Sequence, residues 1–540
     1  MPNGTIGWQS HSKKGLGVAH RWANKPNLRV AKVQAPGLSE PAEVAEHHRR
    51  IWANTWHSDQ LDQVEQVDEI MKALRAKLLA GPDGQHRADI MNKLKASNIR
   101  RVARTFKNKT AIGFDQITFQ EIAAAPQTAL EELEGIMQDS ISRLALPHQA
   151  LANTMAALGK QCGGARCIAV AATYYRLLMA IIRPIVREWD RNIGSEYDSA
   201  LVGRSPIYAT AQRAMIMEQA SLRGLCTILI LWDLRQFFDS IDLSRLIPQC
   251  VRLGFPEEAL LLGLQAHRAP RILKMLGTHS QPIEATGRSI LAGCTLSTSL
   301  ARAYLRHAIG KLAPQAGHML AEHVDDMDQL VVTSTTQAAI IMIVEQALAL
   351  TEGLAEQNLN IAADKTIVLS NRPGAAGRVA KLLRQQGIDI KSATRGEDLG
   401  VSTVGGHTRT VASATKRAAK ATTRASRVGR LARANPRAAQ LFQTGVRPQQ
   451  AYDLPVLGAG PQQLKRLTAN CMLSIAPPGT QACSTTTMRW RLGRPHLRPQ
   501  HIRAAGPDWL VVRPVAWQAC HLHGCQLGAS LETSSVGRVL

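Results

Sequence analysis

The chain has 540 residues, which is roughly three to four times the length of a typical domain, so it can form several cores or one large core. Its 65 Lys and Arg residues exceed its 41 Asp and Glu residues by 24, and this positive charge favours a polyanionic partner, a nucleic acid before a membrane. Apolar residues make up 45% of the sequence and charged residues 20%, a globular composition that argues against wholesale disorder.

Cysteine usage and apolar runs predict a protein inside the cell. The nine cysteines have no regular spacing, which argues against a secreted disulfide framework. The first residues contain no apolar signal core, and apolar runs such as 225–232 are too short to span a bilayer. We therefore expect an intracellular protein without a membrane partner, with nuclear and cytoplasmic locations not distinguished and no pattern that indicates an oligomeric state.

The N-terminal part predicts an extension that is only partly helical. Residues 8–41 mix Gly, Pro, Lys and His without periodicity. Between residues 41 and 98, apolar positions recur at three- and four-residue spacing, which predicts helices with ordinary core faces.

From residue 216 to residue 405 the pattern becomes typical of an α/β fold. Continuous apolar runs predict strands at 225–232, 328–333 and 366–369. They alternate with predicted helices at 242–253, 293–311 and 335–357.

Much of the positive charge lies between residues 401 and 500, which hold sixteen Lys and Arg residues against one acid, Asp453. A helix is predicted over 411–435, and it ends before Pro436. Helical spacing places four basic residues on one stripe: Lys416, Lys420, Arg424 and Arg427. A solvated face would explain this stripe, but the near absence of interleaved acids favours nucleic-acid binding.

Carboxylates follow the predicted strands at two places. Asp233 comes directly after the run 225–232, and Asp325 and Asp326 lie between two apolar runs, at the tip of a predicted hairpin. Ligands bind at strand ends in α/β sheets, although paired aspartates are also common in turns for conformational reasons. Together, carboxylates on adjacent strand ends can hold two divalent cations about 4 Å apart for phosphoryl transfer, and oxygen ligands suit Mg²⁺.

A series of segments, in order along roughly 105–405, resembles the motifs of reverse transcriptases, most closely those of retrotransposons without long terminal repeats. DLRQFFD at 233–239 resembles the first palm motif, and HVDDM at 323–327 resembles the Asp-Asp box. The remaining segments begin with KTAIG at 109, GKQCGG at 159, SILAGC at 289, LNIAADK at 359 and DLGVS at 398.

The resemblance implies a two-metal site. Asp233 and Asp325, with Asp326 beside them, would bind two Mg²⁺ ions, or Mn²⁺ in their place, and Lys365 would protonate the leaving pyrophosphate. Two further acids near the first motif are expected to have structural roles, as a structural carboxylate and as the N-cap of the helix after residue 242: Asp239 and Asp242.

The resemblance also implies contacts to the nucleotide. Lys160 and Arg166 would hold the triphosphate, and Gly293 would support the templating base. Phe238 would exclude a ribose 2′-hydroxyl and so favour DNA synthesis. From the residues alone, surface solvation of Lys160 and Arg166 and core packing of Phe238 remain alternatives.

The fold expected from the resemblance is α/β (α+β), a right-hand polymerase with fingers, a ferredoxin-like palm and a helical basic thumb. Its fingers would lie both before and within the palm. The expected parts are an N-terminal extension, fingers, palm, thumb-like region and tail at 1–104, 105–215, 216–405, 406–500 and 501–540.

The expected function is that of an RNA-directed DNA polymerase from a retrotransposon-like element, which adds dNTPs to a primer 3′-hydroxyl. Its partners would be an RNA template and a DNA primer or duplex. The alternative is a catalytically decayed or maturase-like RNA-binding protein, which is favoured by Ala292 and His323, where the family usually has Gln and an aromatic residue. An RNA-templated RNA polymerase is disfavoured by Phe238.

Overall fold

Three β-sheets and the helices around them form a mixed α/β fold in the computed structural model, which describes residues 33, 35–56, 61–81, 86–159, 165–284, 287–406 and 410–476. Before the first strand, the described chain forms α1 (Pro41–Trp56), α2 (Leu61–Ala80), α3 (Arg87–Lys93), α4 (Ala96–Ala103), α5 (Phe119–Ala124) and α6 (Gln127–Arg143). The predicted helical character of residues 41–98 is therefore confirmed where the chain is described.

Strands and helices alternate in the middle of the chain. In order these are β1 (Asn153–Gly159), β2 (Ala165–Ala171), α7 (Thr173–Ile193), α8 (Pro206–Leu222), β3 (Cys226–Trp232), α9 (Phe237–Ser240), α10 (Leu243–Arg252), α11 (Glu257–Arg268), β4 (Arg271–Met275), β5 (Thr278–His279), α12 (Ser297–Ile309), β6 (His318–His323), β7 (Asp326–Thr333), α13 (Thr336–Glu356), β8 (Ile367–Ser370), α14 (Ala375–Gln385), β9 (Lys391–Ser392), β10 (Arg395–Asp398) and β11 (Val401–Val404). The described C-terminal part adds α15 (Ala412–Ala434), α16 (Arg447–Ala451), α17 (Leu454–Leu457) and α18 (Pro461–Ile475).

The central sheet has the strand order β6-β7-β3-β8-β9 and is antiparallel except between β8 and β9. Apart from Thr227, its middle strand β3 is apolar, because helices cover both faces. Ile228 and Ile230 face the core shared with α13, whereas Leu229 packs with Met217 of α8. The predicted α/β character of this region is confirmed.

A second sheet has the order β2-β1-β4-β5. β1 pairs with β2 in antiparallel orientation. On its other edge β1 pairs with β4 in parallel orientation, although β4 follows β3 in sequence. Helix α1 packs on this sheet through Trp52 and Trp56, which share a core with Leu273 and Met275 of β4. Residues 271–279 thus extend a sheet that begins more than a hundred residues earlier.

Helix α13 is long and apolar enough to cross a membrane by length and composition, with a mean hydropathy of 1.6 over its most apolar window. The expectation that every apolar segment is too short was therefore wrong for this one. In the fold, Ile340, Ile343, Ala347 and Leu350 of α13 are buried in the main core. Packing against the central sheet explains the apolar character of this helix.

The C-terminal helices form their own small core. Ala421, Ala425 and Val428 of α15 pack with Cys471 and Ile475 of α18. Small side chains on α15 let α18 approach closely, and a Cβ on Gly429 would lie 2.1 Å from the Leu473 carbonyl oxygen. The predicted helix over 411–435 is confirmed as α15.

Candidate active site

Asp233 is the first residue after β3, and its backbone is fixed on both sides. Its N–H donates to Thr366 Oγ1 at 3.2 Å, and its carbonyl accepts from the Ala362 N–H at 2.8 Å. The neighbouring segment therefore holds Asp233 at the open end of the central sheet. Its side chain is one-third exposed.

Asp325 lies in the turn between β6 and β7, with Asp326 as the first residue of β7. The predicted hairpin tip is confirmed, because His323 pairs with Asp326 across a two-residue turn formed by Val324 and Asp325. Val324 has a φ of 64°, which is unusual for a β-branched residue. Because β7 pairs with β3 in antiparallel register, with Met327 opposite Trp232, this turn lies next to Asp233.

The three carboxylates influence one another. Burial and then the charge of Asp233 raise the pKa of Asp325, while Arg166 and His323 lower it. Desolvation, followed by the charges of Asp325 and Asp233, raises the pKa of Asp326 to about 6. Such mutual repulsion arises when like charges share a small site.

Lys365 supplies a positive charge beside these acids. Its Nζ donates to Asp233 Oδ1 at 3.0 Å and to Oδ2 at 3.3 Å. The lysine is 61% exposed, so its amine can leave the carboxylate without disturbing the core. The structure thus brings Asp233, Asp325, Asp326 and Lys365 together.

A cavity of about 290 Å³ lies beneath the carboxylates, and its charged lining includes residues that the sequence motifs do not indicate. Arg213 of α8 donates from Nε to Asp398 Oδ2 at 3.0 Å and forms an ion pair with Asp328 Oδ2 at 3.1 Å. All three side chains are less than 10% exposed. Burial raises the pKa of Asp328 to about 7 even though Arg213 opposes this effect.

A second buried charge network supports the β6 side of the turn. Arg302 of α12 forms ion pairs with Asp190 and Asp198. The carbonyl of Glu322 accepts hydrogen bonds from both the N–H and the hydroxyl of Ser199, and that hydroxyl also shares a hydrogen bond with His323 Nδ1 at 3.1 Å. Neither network is visible in the sequence pattern, because the partners lie far apart in the chain.

The predicted nucleotide residues are placed around β2 and α9. Arg166 of β2 is exposed and lies close enough to Asp325 to lower its pKa. Gly293 has a φ of 109°, and a Cβ there would lie 3.0 Å from the carbonyl oxygen of Ala169, which is in β2. Phe238 is half-buried and packs edge-on against Phe237, with ring centroids 5.4 Å apart. Lys160 lies outside the described residues.

Asp239 and Asp242 have the structural contacts expected of them. Asp242 caps α10 by accepting from the Ser244 N–H at 2.9 Å. Asp239 accepts a hydrogen bond from Trp56 Nε1 at 2.7 Å. These contacts turn both acids toward the surrounding structure.

The basic stripe on α15 is only partly available to a ligand. Lys416 and Lys420 are exposed, but Arg424 donates to the Gly445 carbonyl at 2.7 Å. Arg427 is 9% exposed, so little of its side chain is accessible to a nucleic acid. The chain after Pro436 folds back over this half of the helix and covers it.

A divalent metal fits the chemistry of the carboxylates. Within the described ranges, no three His, Cys, Asp or Glu side chains already converge as a ready-made metal site. However, Asp233, Asp325 and Asp326 supply oxygen ligands. Burial and then the charges of neighbouring acids raise the pKa of Asp325 and Asp326, and a cation would offset both effects. These three residues would hold the metal once the Lys365 amine moves away from Asp233.

A mixed α/β domain with carboxylates at adjacent strand ends is a fold and site that suit a nucleotidyltransferase. Residues 157–401 match the family model of the reverse transcriptase (RNA-dependent DNA polymerase). The predicted resemblance is confirmed over this range. A search of curated proteins gave no match.

Proposed function

We propose that this chain is an RNA-directed DNA polymerase of a retrotransposon-like element, which adds dNTPs to a primer 3′-hydroxyl on an RNA template. The observation that carries the proposal is the meeting of Asp233, Asp325 and Asp326 at adjacent strand ends. Their mutual effect on pKa supports a shared site, and that site lies within the matched residues 157–401.

The proposed architecture is a right hand. The central sheet of β6, β7, β3, β8 and β9 would be the palm, within residues 216–405. The sheet of β1, β2, β4 and β5 would belong to the fingers, so that 105–215 and the inserted strands act together. Residues 406–500 would form the thumb, with the N-terminal extension at 1–104 and the tail at 501–540.

Two Mg²⁺ ions bound to the carboxylates would stabilise charge on the attacking and leaving oxygens. The chain itself aligns the reactants. Asp233 and Asp325 would hold the metal ions beside the reacting phosphate, and Arg166 would neutralise triphosphate oxygens as pyrophosphate departs. Lys365, whose amine is 3.0 Å from Asp233, would donate a proton to the leaving pyrophosphate.

Sugar selection would depend on Phe238. Its half-buried ring presents a bulky apolar surface five residues after Asp233. A 2′-hydroxyl at that ring would be both crowded and without a hydrogen-bond partner, which costs free energy. The expected substrate is therefore a dNTP.

The test is dNTP incorporation on a primed RNA template with Mg²⁺, with rNTPs in a parallel reaction. Asp325→Asn keeps the side-chain shape and removes the charge, and incorporation should fall by at least about a thousandfold, as expected for loss of strong electrostatic stabilisation. Asp364→Asn is the matched control, because Asp364 is an exposed acid beside Lys365. Equal activity in wild type and Asp325→Asn would refute the two-metal site.

A second candidate is a maturase-like RNA-binding protein that has lost polymerisation. The observation that favours it is His323, which replaces the usual aromatic residue and bonds to Ser199. An inert wild type that binds RNA with steep salt dependence would support this candidate over the first.

A further inference from the structure

The end of helix α1 is fixed in the fold although it lies outside the matched range 157–401. Trp56, the last residue of α1, is fully buried and is among the largest buried side chains of the described chain. Its ring stacks on Trp52 with centroids 4.8 Å apart. The indole therefore occupies one defined position.

From this position Trp56 reaches two charged groups. Its Nε1–H donates to Asp239 Oδ1 at 2.7 Å, a charge-assisted hydrogen bond. The Arg271 guanidinium lies over the same ring, 4.6 Å from the centroid. Arg271 is 1% exposed and donates to Ser289 Oγ at 2.7 Å. Trp56 thus binds one half-buried carboxylate and covers a buried cation nearby.

Asp239 directly follows Phe238 in α9, and α9 is too short to hold its own orientation. It has four residues, and Gln236 before it has a φ of 48°. Tertiary contacts therefore orient this helix. The Phe238 carbonyl accepts from the Ile290 N–H at 2.9 Å, and the side chain of the next residue, Asp239, accepts from the Trp56 indole.

We infer that Trp56 is a positioning residue for sugar selection, acting through Asp239 on the ring of Phe238. This inference rests on the proposed function. Phe237 fixes one side of α9 in the main core, and the indole N–H holds the other side through Asp239. Without the indole N–H, Asp239 loses this bond, α9 can turn about Phe237, and the Phe238 ring shifts from the place that a 2′-hydroxyl would need. The N-terminal helix is then part of the nucleotide site, and rNTPs gain relative to dNTPs when the bond is removed.

The experiment measures the ratio of kcat/KM for a dNTP to that for the matching rNTP, in the full chain. Trp56→Phe keeps an aromatic ring and removes the N–H, and the ratio should fall about tenfold, which is about 1.4 kcal/mol. Trp52→Phe is the matched control, because Trp52 is a buried tryptophan of the same helix that stacks on Trp56 without bonding to Asp239. Its ratio should stay within about twofold of the wild type.

A double variant tests the route through Phe238. In a Phe238→Val background, Trp56→Phe should leave the ratio unchanged, because the ring that Trp56 positions is gone. A ratio that falls equally in both backgrounds would overturn the inference. If Trp56→Phe does not fold, Asp239→Leu, which is of similar size and removes the acceptor at the other end of the bond, should lower the ratio in the same way, and an unchanged ratio counts against the inference.

The outcomes separate this inference from the proposed function. A wild type that incorporates neither kind of nucleotide refutes the proposed polymerase and, with it, the role of Trp56. A wild type that prefers dNTPs, together with a Trp56→Phe variant of equal preference, refutes the role of Trp56 alone.

Discussion

Glu322 on β6 is a buried acid close to the candidate site. It is 3% exposed. Burial, followed by the charge of Asp198, raises its pKa to about 8, while Arg302 and Arg306 act in the opposite direction. The folded protein therefore keeps this group protonated at pH values at which the unfolded chain releases the proton.

This pKa shift predicts how stability depends on pH. Between about pH 4.5 and pH 8 the native state binds one more proton at Glu322 than the unfolded state does, so its contribution to the free energy of unfolding falls as pH rises. Glu322→Gln should remove this dependence. The difference in Tm between the variant and the wild type should therefore be several degrees more favourable to the variant at pH 8.5 than at pH 5. Thermal unfolding at both values checks it, with Glu352→Gln, an exposed acid on α13, as the control. Parallel curves for wild type and Glu322→Gln would contradict the shift.

Gly293 permits a second prediction. Its φ of 109° and the 3.0 Å approach of a Cβ to the Ala169 carbonyl mean that Gly293→Ala should lower the free energy of unfolding by about 1–3 kcal/mol. Gly377→Ala in α14 is the control, because no atom lies within 4 Å of its Cβ position, and this change should be neutral or stabilising. Urea unfolding of both variants measures the difference. Equal stability of the two variants would show that the loop adapts freely.

The candidate site residues were largely predictable from sequence, because Asp233 directly follows an apolar strand and Asp325 lies in the turn just before another. Asp233 and Asp325 could be placed at strand ends by this local pattern. Arg213 could not be found in this way, since its partner Asp398 is 185 residues away. The residues that flank Arg213 and those that flank Asp398 do not indicate that the two side chains meet.

The hairpin of β10 and β11 joins the central sheet to the C-terminal helices. Asp398 at one end of the turn binds Arg213 of α8. On the other side, the Ser402 N–H donates to Ser413 Oγ, and Ser413 in turn donates to Asp453 Oδ2 at 3.0 Å. The single acid of the basic block is thus used to fix this hairpin to α15.

Arg213→Met should be strongly destabilising. It leaves Asp328 and Asp398 buried without their cation, and loss of one partner from a buried ion pair costs about 3–5 kcal/mol. Arg384→Met is the control, because Arg384 pairs with Asp389 at 3.0 Å on the surface, where such a pair contributes less than about 1 kcal/mol. The urea midpoints of the two variants should differ clearly. If Arg213→Met lowers the free energy of unfolding as little as the control does, then Asp328 and Asp398 take up protons without cost.

The exposed and the buried basic residues of α15 are expected to have different roles. Replacing Lys416 and Lys420 together by Gln should weaken RNA binding and reduce the slope of log affinity against log salt by up to about two. Arg427→Gln should lower stability and leave that slope unchanged, because Arg427 is buried. Titrations at several salt concentrations distinguish the variants, and an equal slope change in both would contradict the burial of Arg427.

Helical spacing showed which basic residues share a face, but it could not show how far the rest of the chain covers that face. Arg424 and Arg427 satisfy the same periodicity as Lys416. The segment that covers them, from Pro436 to Val446, begins only after the helix has ended. Tertiary packing decided the outcome for these two residues.

At the scale of the molecule, the matched domain and the folded core are different units. The main core includes Val67 and Leu74 of α2, Ile90 of α3 and Ile99 of α4, all of which precede residue 157. These helices cover α7, α10 and α11. The residues that match the family model thus share their core with chain outside the matched range.

A fragment of residues 157–401 should therefore fail to fold alone. It would expose the apolar surface that α1–α6 cover, and exposed patches of that kind promote aggregation. We expect no cooperative thermal transition by circular dichroism, whereas residues 33–476 should show one. A fragment that melts cooperatively at the temperature of the longer chain would contradict the shared core.

Val324 has a consequence for how this protein would respond to selection in the laboratory. Its left-handed backbone costs about 1–3 kcal/mol, and glycine would relieve that cost. A screen for heat resistance alone should therefore favour Val324→Gly, although the same change gives the adjoining Asp325 a wider range of positions. Selection for stability would then favour glycine at position 324, whereas selection for turnover would favour valine.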